Sequence, residues 1–78
     1  MIAELRKHDT DEVLDFARRW FRYGGGPAIE IMAGLGLTQL QFFTALLEAL
    51  DTDPPADLGE QVIGEMRRVA RHRIWLIS

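Results

Sequence analysis

Reactive side chains are scarce in this chain, and their types exclude most catalytic arrangements. It has no cysteine, so a thiolate nucleophile, a disulfide framework and a sulfur-ligated zinc site are all ruled out. The two histidines, His8 and His72, lie far apart, and neither has a second histidine at metal-ligand spacing; both are expected on the solvent surface, without a metal. Ser78 is the single serine and occupies the last position. The acids Glu48, Asp51, Asp53, Asp57, Glu60 and Glu65 read as a solvated loop and helix start, not as a paired general acid and base. No catalytic residue, cofactor or small-molecule substrate is expected. What remains is hydrogen-bonding and charge chemistry. Thr38, Gln39, Gln41 and Thr44 stand close together, and a glutamine can bond an adenine edge through both amide atoms while a threonine reaches a base or a phosphate. Arginines gather in two places: Arg18, Arg19 and Arg22 early, and Arg67, Arg68, Arg71 and Arg73 late. These suit phosphate neutralisation.

The elements that must position these groups are announced by punctuation. In the stretch 27–51, Pro27 suits a first helical position, since its missing N–H is one a helix start leaves unpaired anyway. Ile29, Met32 and Ala33 have the three-and-four spacing of a buried helical face. Gly34 and Gly36 then end the helix. Thr38 and Gln41 form a capping-box pair at the start of the next one. There Leu40, Phe43, Leu47 and Leu50 mark one apolar stripe, and Phe42, Leu46 and Ala49 an adjacent one. Two short helices joined by a glycine turn are the arrangement of a helix-turn-helix, which presents its second helix to the DNA major groove. The same signals fit an αα-corner in a small helical bundle.

Ahead of this unit, Thr10 is an N-cap candidate, and Val13, Phe16, Ala17, Trp20 and Phe21 form a helical core face with Asp15, Arg18, Arg19 and Arg22 opposite. Gly24, Gly25 and Gly26 stop that helix; with no Walker lysine after them and no strand before, they read as a turn and not as a phosphate cradle. The aromatics Trp20, Phe21, Tyr23, Phe42 and Phe43 fit core positions better than a base-stacking platform. After Asp51, Pro54 and Pro55 impose a loop, and Asp57 with Glu60 is a second capping pair. The last helix carries Val62, Ile63, Met66, Val69, Ala70 and Ile74 on its apolar stripe, with Arg67, Arg68 and Arg71 turned outward. The expectation is an all-α, single small domain over 1–78 with helices at about 11–23, 27–34, 38–50 and 58–75, and 1–9 as a frayed lead-in.

Composition sets the outer bounds. With 47% hydrophobic and 27% charged residues the chain suits a small globular domain, whose core is near the lower limit of what folds unaided. No apolar run approaches a membrane span, and the early charges Glu4, Arg6 and Lys7 do not suit a signal peptide, so a cytoplasmic protein without a membrane partner is expected. The net charge of −3 argues against sequence-blind nucleic-acid binding over the whole surface, yet the charges are segregated. From Glu48 to Glu65 every charged residue is an acid, and from Met66 onward every one is an arginine. Such segregation can build a basic stripe on an acidic protein.

Over 13–73 the chain resembles a family of small helix-turn-helix proteins of actinobacteria and their phages. The resemblance is carried by Phe16, Trp20-Phe21-Arg22-Tyr23, Gly25, Ile31, Leu35-Gly36, Thr38, Phe42-Phe43, Leu46 and Asp51, followed by the arginine-rich stretch of Arg67, Arg68, Arg71 and Arg73. It implies binding to double-stranded DNA and transcriptional regulation, with 38–47 as the recognition helix. Gln41 stands where relatives carry an arginine, and Phe42-Phe43 where they carry two tyrosines, so this helix has no cation. Base contacts are then expected from Thr38, Gln39, Gln41 and Thr44, and backbone contacts from Arg18, Arg19, Arg22, Arg67, Arg68 and Arg71. A homodimer is expected, since dimers read two half-sites. The competing expectation is a protein-interaction adaptor that keeps the fold without DNA binding, using Phe43, Leu47, Ile74, Trp75 and Ile77 as a dimer or partner surface.

Overall fold

The computed structural model describes residues 7–77, and these form an all-α domain of four helices. They are α1 (Lys7–Trp20), α2 (Ala28–Leu35), α3 (Gln39–Thr52) and α4 (Glu60–Ile77), with a 3₁₀ turn, Phe21–Tyr23, extending α1. The helix α1 already includes Lys7, so Thr10 lies inside it and is not its N-cap; acids at Asp11 and Glu12 mark a later turn, not the first. Of the frayed lead-in expected over 1–9, residues 7–9 instead belong to α1, while 1–6, the His8 side chain and Ser78 fall outside the described residues.

The helix α3 is the centre of the packing, flanked by α1 and α4. Phe42, Phe43, Leu46 and Leu50 are buried along it, against Val13, Leu14, Phe16 and Ala17 of α1 and Met66 and Ala70 of α4. Aromatic rings interlock at the middle: Phe16 meets Phe42 edge-on at 5.2 Å, Phe42 meets Phe43 at 4.8 Å, and Trp20 stacks on Phe16 at 5.9 Å. Edge-on and offset contacts suit the ring quadrupoles and fix the rotamers beyond what area burial alone would do. Of the aromatics expected in the core, Phe42 and Phe43 are fully buried and Trp20 and Phe21 pack against it part-buried, whereas Tyr23 is 77% exposed, because the 3₁₀ turn at the end of α1 carries it away from the packed face.

Two short connections shape the chain between α1 and α3. In the first, Gly24, Gly25 and Gly26 have φ of +82°, +100° and +102°, a region hostile to side chains. Close approach adds a second reason for glycine: a Cβ on Gly25 would lie 2.8 Å from Phe43 Cε1, and one on Gly26 2.7 Å from Phe16 Cε1. The backbone here is pressed against the aromatic core. In the second, Gly36 is the left-handed cap of α2, its N–H donating to the Met32 carbonyl at 2.9 Å. Gly34, expected to share this role, lies within α2. Between 36 and 38 the helix axes of α2 and α3 turn by 74°.

The buried face of α2 is not the one expected. Ile31 is fully buried, whereas Ile29 and Met32 are 75% and 50% exposed and Ala33 also faces out. The segment is apolar on almost every side, so periodicity alone could not select a face; packing of Ile31 into the core does. Pro27 is the N-cap and not the first helical residue. Leu40 departs from its stripe in the same way, 47% exposed on the first turn of α3.

Candidate nucleic-acid interface

The start of α3 is held by reciprocal bonds. The Thr38 hydroxyl oxygen accepts from the Gln41 N–H at 3.1 Å, and the Gln41 amide oxygen accepts from the Thr38 N–H at 3.0 Å, completing the capping box that the spacing predicts. Thr38, Gln41 and Thr44 are exposed, and Gln39 is half-buried. No acid stands in this first turn. Further along, Glu48 is exposed and the helix end is acidic, so any face open to a polyanion is the N-terminal half.

Gln39 is held by Arg73, which the sequence grouped with the phosphate-neutralising arginines and which the fold instead turns onto the protein. The Arg73 guanidinium donates to Gln39 Oε1 at 2.6 Å and to the Gly24 and Gly26 carbonyls at 2.8 Å each. It also lies over the Phe43 ring, 4.7 Å from the centroid. One side chain thereby joins the glycine turn, the first turn of α3 and the end of α4. Burial lowers its pKa from the ordinary arginine value, and the group stays charged. The signal was present in the spacing: Met66, Ala70 and Arg73 fall at i, i+4 and i+7, which puts Arg73 on the core face of α4. Its acceptors, 34 to 49 residues away, could not be paired from sequence.

The expected backbone-contacting arginines divide. Arg67 is not turned outward; it donates to the Leu50 carbonyl at 3.1 Å and pairs with Asp51 at 3.1 Å, satisfying a carbonyl that the end of α3 leaves open. Its Nε is buried without a partner. Arg18 bonds both oxygens of Asp57, at 2.7 and 3.0 Å. Asp57 therefore serves Arg18 and does not form the capping pair expected with Glu60. The hydrogen bonds from Arg18 hold the Asp57 carboxyl below the ordinary carboxylate range, and the same bonds raise Arg18. Arg68 is 75% exposed on its side chain and pairs with Glu65 at 2.5 Å, a surface contact easily exchanged. Arg19 and Arg22 are exposed and rest over the Phe16 and Phe21 rings, at 5.7 and 5.5 Å, with no ion-pair partner among the described residues. Arg71 is exposed and likewise unpaired among them.

These unpaired cations sit close in sequence to the Arg73 junction: Arg22 just before Gly24, and Arg71 two residues before Arg73. The acids Asp51, Asp53 and Asp57 gather near the other end of α3, which at ~1.5 Å per residue is roughly 20 Å away.

The expected partner surface is broken up. Phe43 is fully buried beneath Arg73, which removes it from any docking face, and Leu47 and Ile74 are partly buried against the core. Trp75 and Ile77, with Leu76, are 72%, 40% and 59% exposed. Among the described residues no cluster of three or more His, Cys, Asp or Glu side chains could hold a metal, and no single helix is long and apolar enough to cross a membrane. A scan against family models finds no match to this chain, and comparisons with curated proteins and with solved structures find none either.

Proposed function

We propose that the chain is a DNA-binding helix-turn-helix protein, a transcriptional regulator acting as a homodimer, with the N-terminal half of α3 as its reader. One observation carries the reading: a helix start that is capped, free of acids and uncovered, with Thr38, Gln41 and Thr44 exposed, follows α2 across a tight 74° turn. Recognition helices contact base edges with such N-terminal residues. The resemblance to helix-turn-helix proteins points the same way. Affinity comes from phosphate contacts by Arg19, Arg22 and Arg71, with Arg68 recruited from its surface pair. The exposed Trp75-Leu76-Ile77 end joins two copies.

The test is selection from a pool of random duplexes at two salt concentrations, with sequencing of the retained DNA. An enriched motif whose retention falls steeply with salt is expected, and Arg71→Ala then weakens all sequences alike. No retention at low salt overturns the proposal. A protein-interaction adaptor is the second reading, favoured by the exposed apolar face of Ile29 and Met32 on α2. On that reading Ile29→Glu abolishes partner capture, whereas a DNA reader keeps its affinity for the selected duplex.

A further inference from the structure

We infer that the groove between α1 and α3 seats the C-terminal end of α4 of a second copy, so that two copies lie antiparallel with each basic tail in the other's acidic groove. The inference rests on the homodimer of the reading above and says what its exposed tail meets. The groove has a volume of about 1200 Å³, with the buried Leu14, Ala45 and Ala49 as its floor and Pro54 and Pro55 lining it where the loop leaves α3. Four exposed carboxylates stand around it, those of Asp11, Asp15, Glu48 and Asp53. Arg18, the one cation in its lining among the described residues, is already engaged by both oxygens of Asp57. The groove is thus negative above a partly apolar floor, and the segment that suits it carries apolar side chains with a cation close by.

The end of α4 is such a segment. Trp75 and Leu76 are 72% and 59% exposed, and Arg71, also exposed, precedes Trp75 by one helical turn on the same stripe. This tail cannot reach its own groove. Because Arg67 meets the Leu50 carbonyl and Arg73 meets Gln39, α4 runs antiparallel to α3 and ends beside the α3 start. The groove is lined instead by the second half of α3 and the loop after it. Tail and groove are therefore separated along a body 33 Å long, and α4 stays helical to Ile77, which leaves no chain to fold back. Only another copy brings them together. Antiparallel copies join both tails to both grooves at once, which closes the pair with two-fold symmetry and leaves no free end for chain growth. Area points the same way: a tail with one aromatic side chain of about 150–250 Å² and two aliphatic ones falls short of the roughly 800 Å² per partner of a standard interface, and the closed pair adds a groove to each tail. A tail-to-tail contact would bury the same side chains but set arginines of like charge against one another, which is costly. A carboxylate occupies only part of a guanidinium with five N–H donors, so Arg71 keeps donors for a DNA phosphate.

The experiment is sedimentation equilibrium of the full chain without DNA. A dimer is expected, and it weakens as salt rises, because opposite charges meet across it. Trp75→Ala weakens it at least about 30-fold, the effect of removing an aromatic anchor. Arg71→Glu and Glu48→Arg each weaken it about 5- to 10-fold, and both changes in one chain restore it, because the pair re-forms with its charges exchanged. All three side chains are exposed, so far-UV circular dichroism of the variants is expected to match the wild type. A dimer that tightens with salt and ignores Glu48→Arg is a tail-to-tail contact and overturns the inference. Failure of the double change to restore pairing, or growth beyond the dimer, overturns it too. A monomer overturns it together with the homodimer; DNA binding is then still decided by the random-pool selection, since no DNA enters this measurement.

Discussion

Replacing Arg73 by methionine tests the junction on which the candidate interface depends. The substitution keeps an unbranched apolar stem over Phe43 but removes three hydrogen bonds and a cation–π contact. The bond to Gly24 is exposed, so water replaces the lost donor at little cost. The Gly26 and Gln39 oxygens are part-buried, and each loses about 1 kcal/mol. The ring contact adds about 0.5–1 kcal/mol. Relief of guanidinium desolvation offsets part of this, leaving a net loss of about 2 kcal/mol. For a domain of this size that lowers Tm by roughly 8–16 °C. Urea denaturation followed by far-UV circular dichroism gives the free energy, and thermal melts the Tm. Arg73→Lys recovers at most one bond, because a compact ammonium cannot reach the two glycine carbonyls and Gln39 together. A double-mutant cycle with Gln39→Ala isolates the 2.6 Å bond, with a coupling of about 0.5–1.5 kcal/mol expected. A loss below about 0.5 kcal/mol for Arg73→Met, or zero coupling to Gln39, refutes the assignment of Arg73 as the organiser of this end of the molecule.

Gly25→Ala combines a φ of +100° with a methyl 2.8 Å from Phe43, and should destabilise by about 2–4 kcal/mol, whereas Gly24→Ala, with open space around it, should cost only about 1–2 kcal/mol; equal losses in denaturant melts would show that the turn is not pressed on the core. Thr38→Ala removes the capping acceptor of α3 and should cost about 1 kcal/mol by the same melts, with Thr38→Ser retaining most of it. Because the folded Asp57 carboxyl lies below its ordinary value of 3.8, the stability it contributes is present at neutral pH and lost as pH falls through the folded value. NMR titration of its side-chain carboxyl carbon should give a midpoint below 3.8, and Arg18→Met should return it to the ordinary range.

Local rules carried the helical architecture. The Thr38–Gln41 pair specified where α3 begins, because both of its bonds close within one turn of backbone. The apolar stripe of α4 and the aromatic face of α1 likewise follow from periodicity, which needs no partner to be recognised. Three matters were decided by tertiary packing. Which face of α2 is buried depended on the surface it met, because a helix apolar on nearly all sides carries no directional signal; Ile31 went in and Ile29 stayed out. Phe43, on an apolar stripe broad enough to face either way, was taken into the core beneath Arg73. The arginines were the least legible of all. A guanidinium on a long stem bonds whichever acceptors the fold brings within reach, so Arg18 found Asp57, Arg67 found the end of α3, and Arg73 found the glycine turn. Sequence determined the charges and the cap that starts α3; only the assembled fold decided which of those charges were already spoken for.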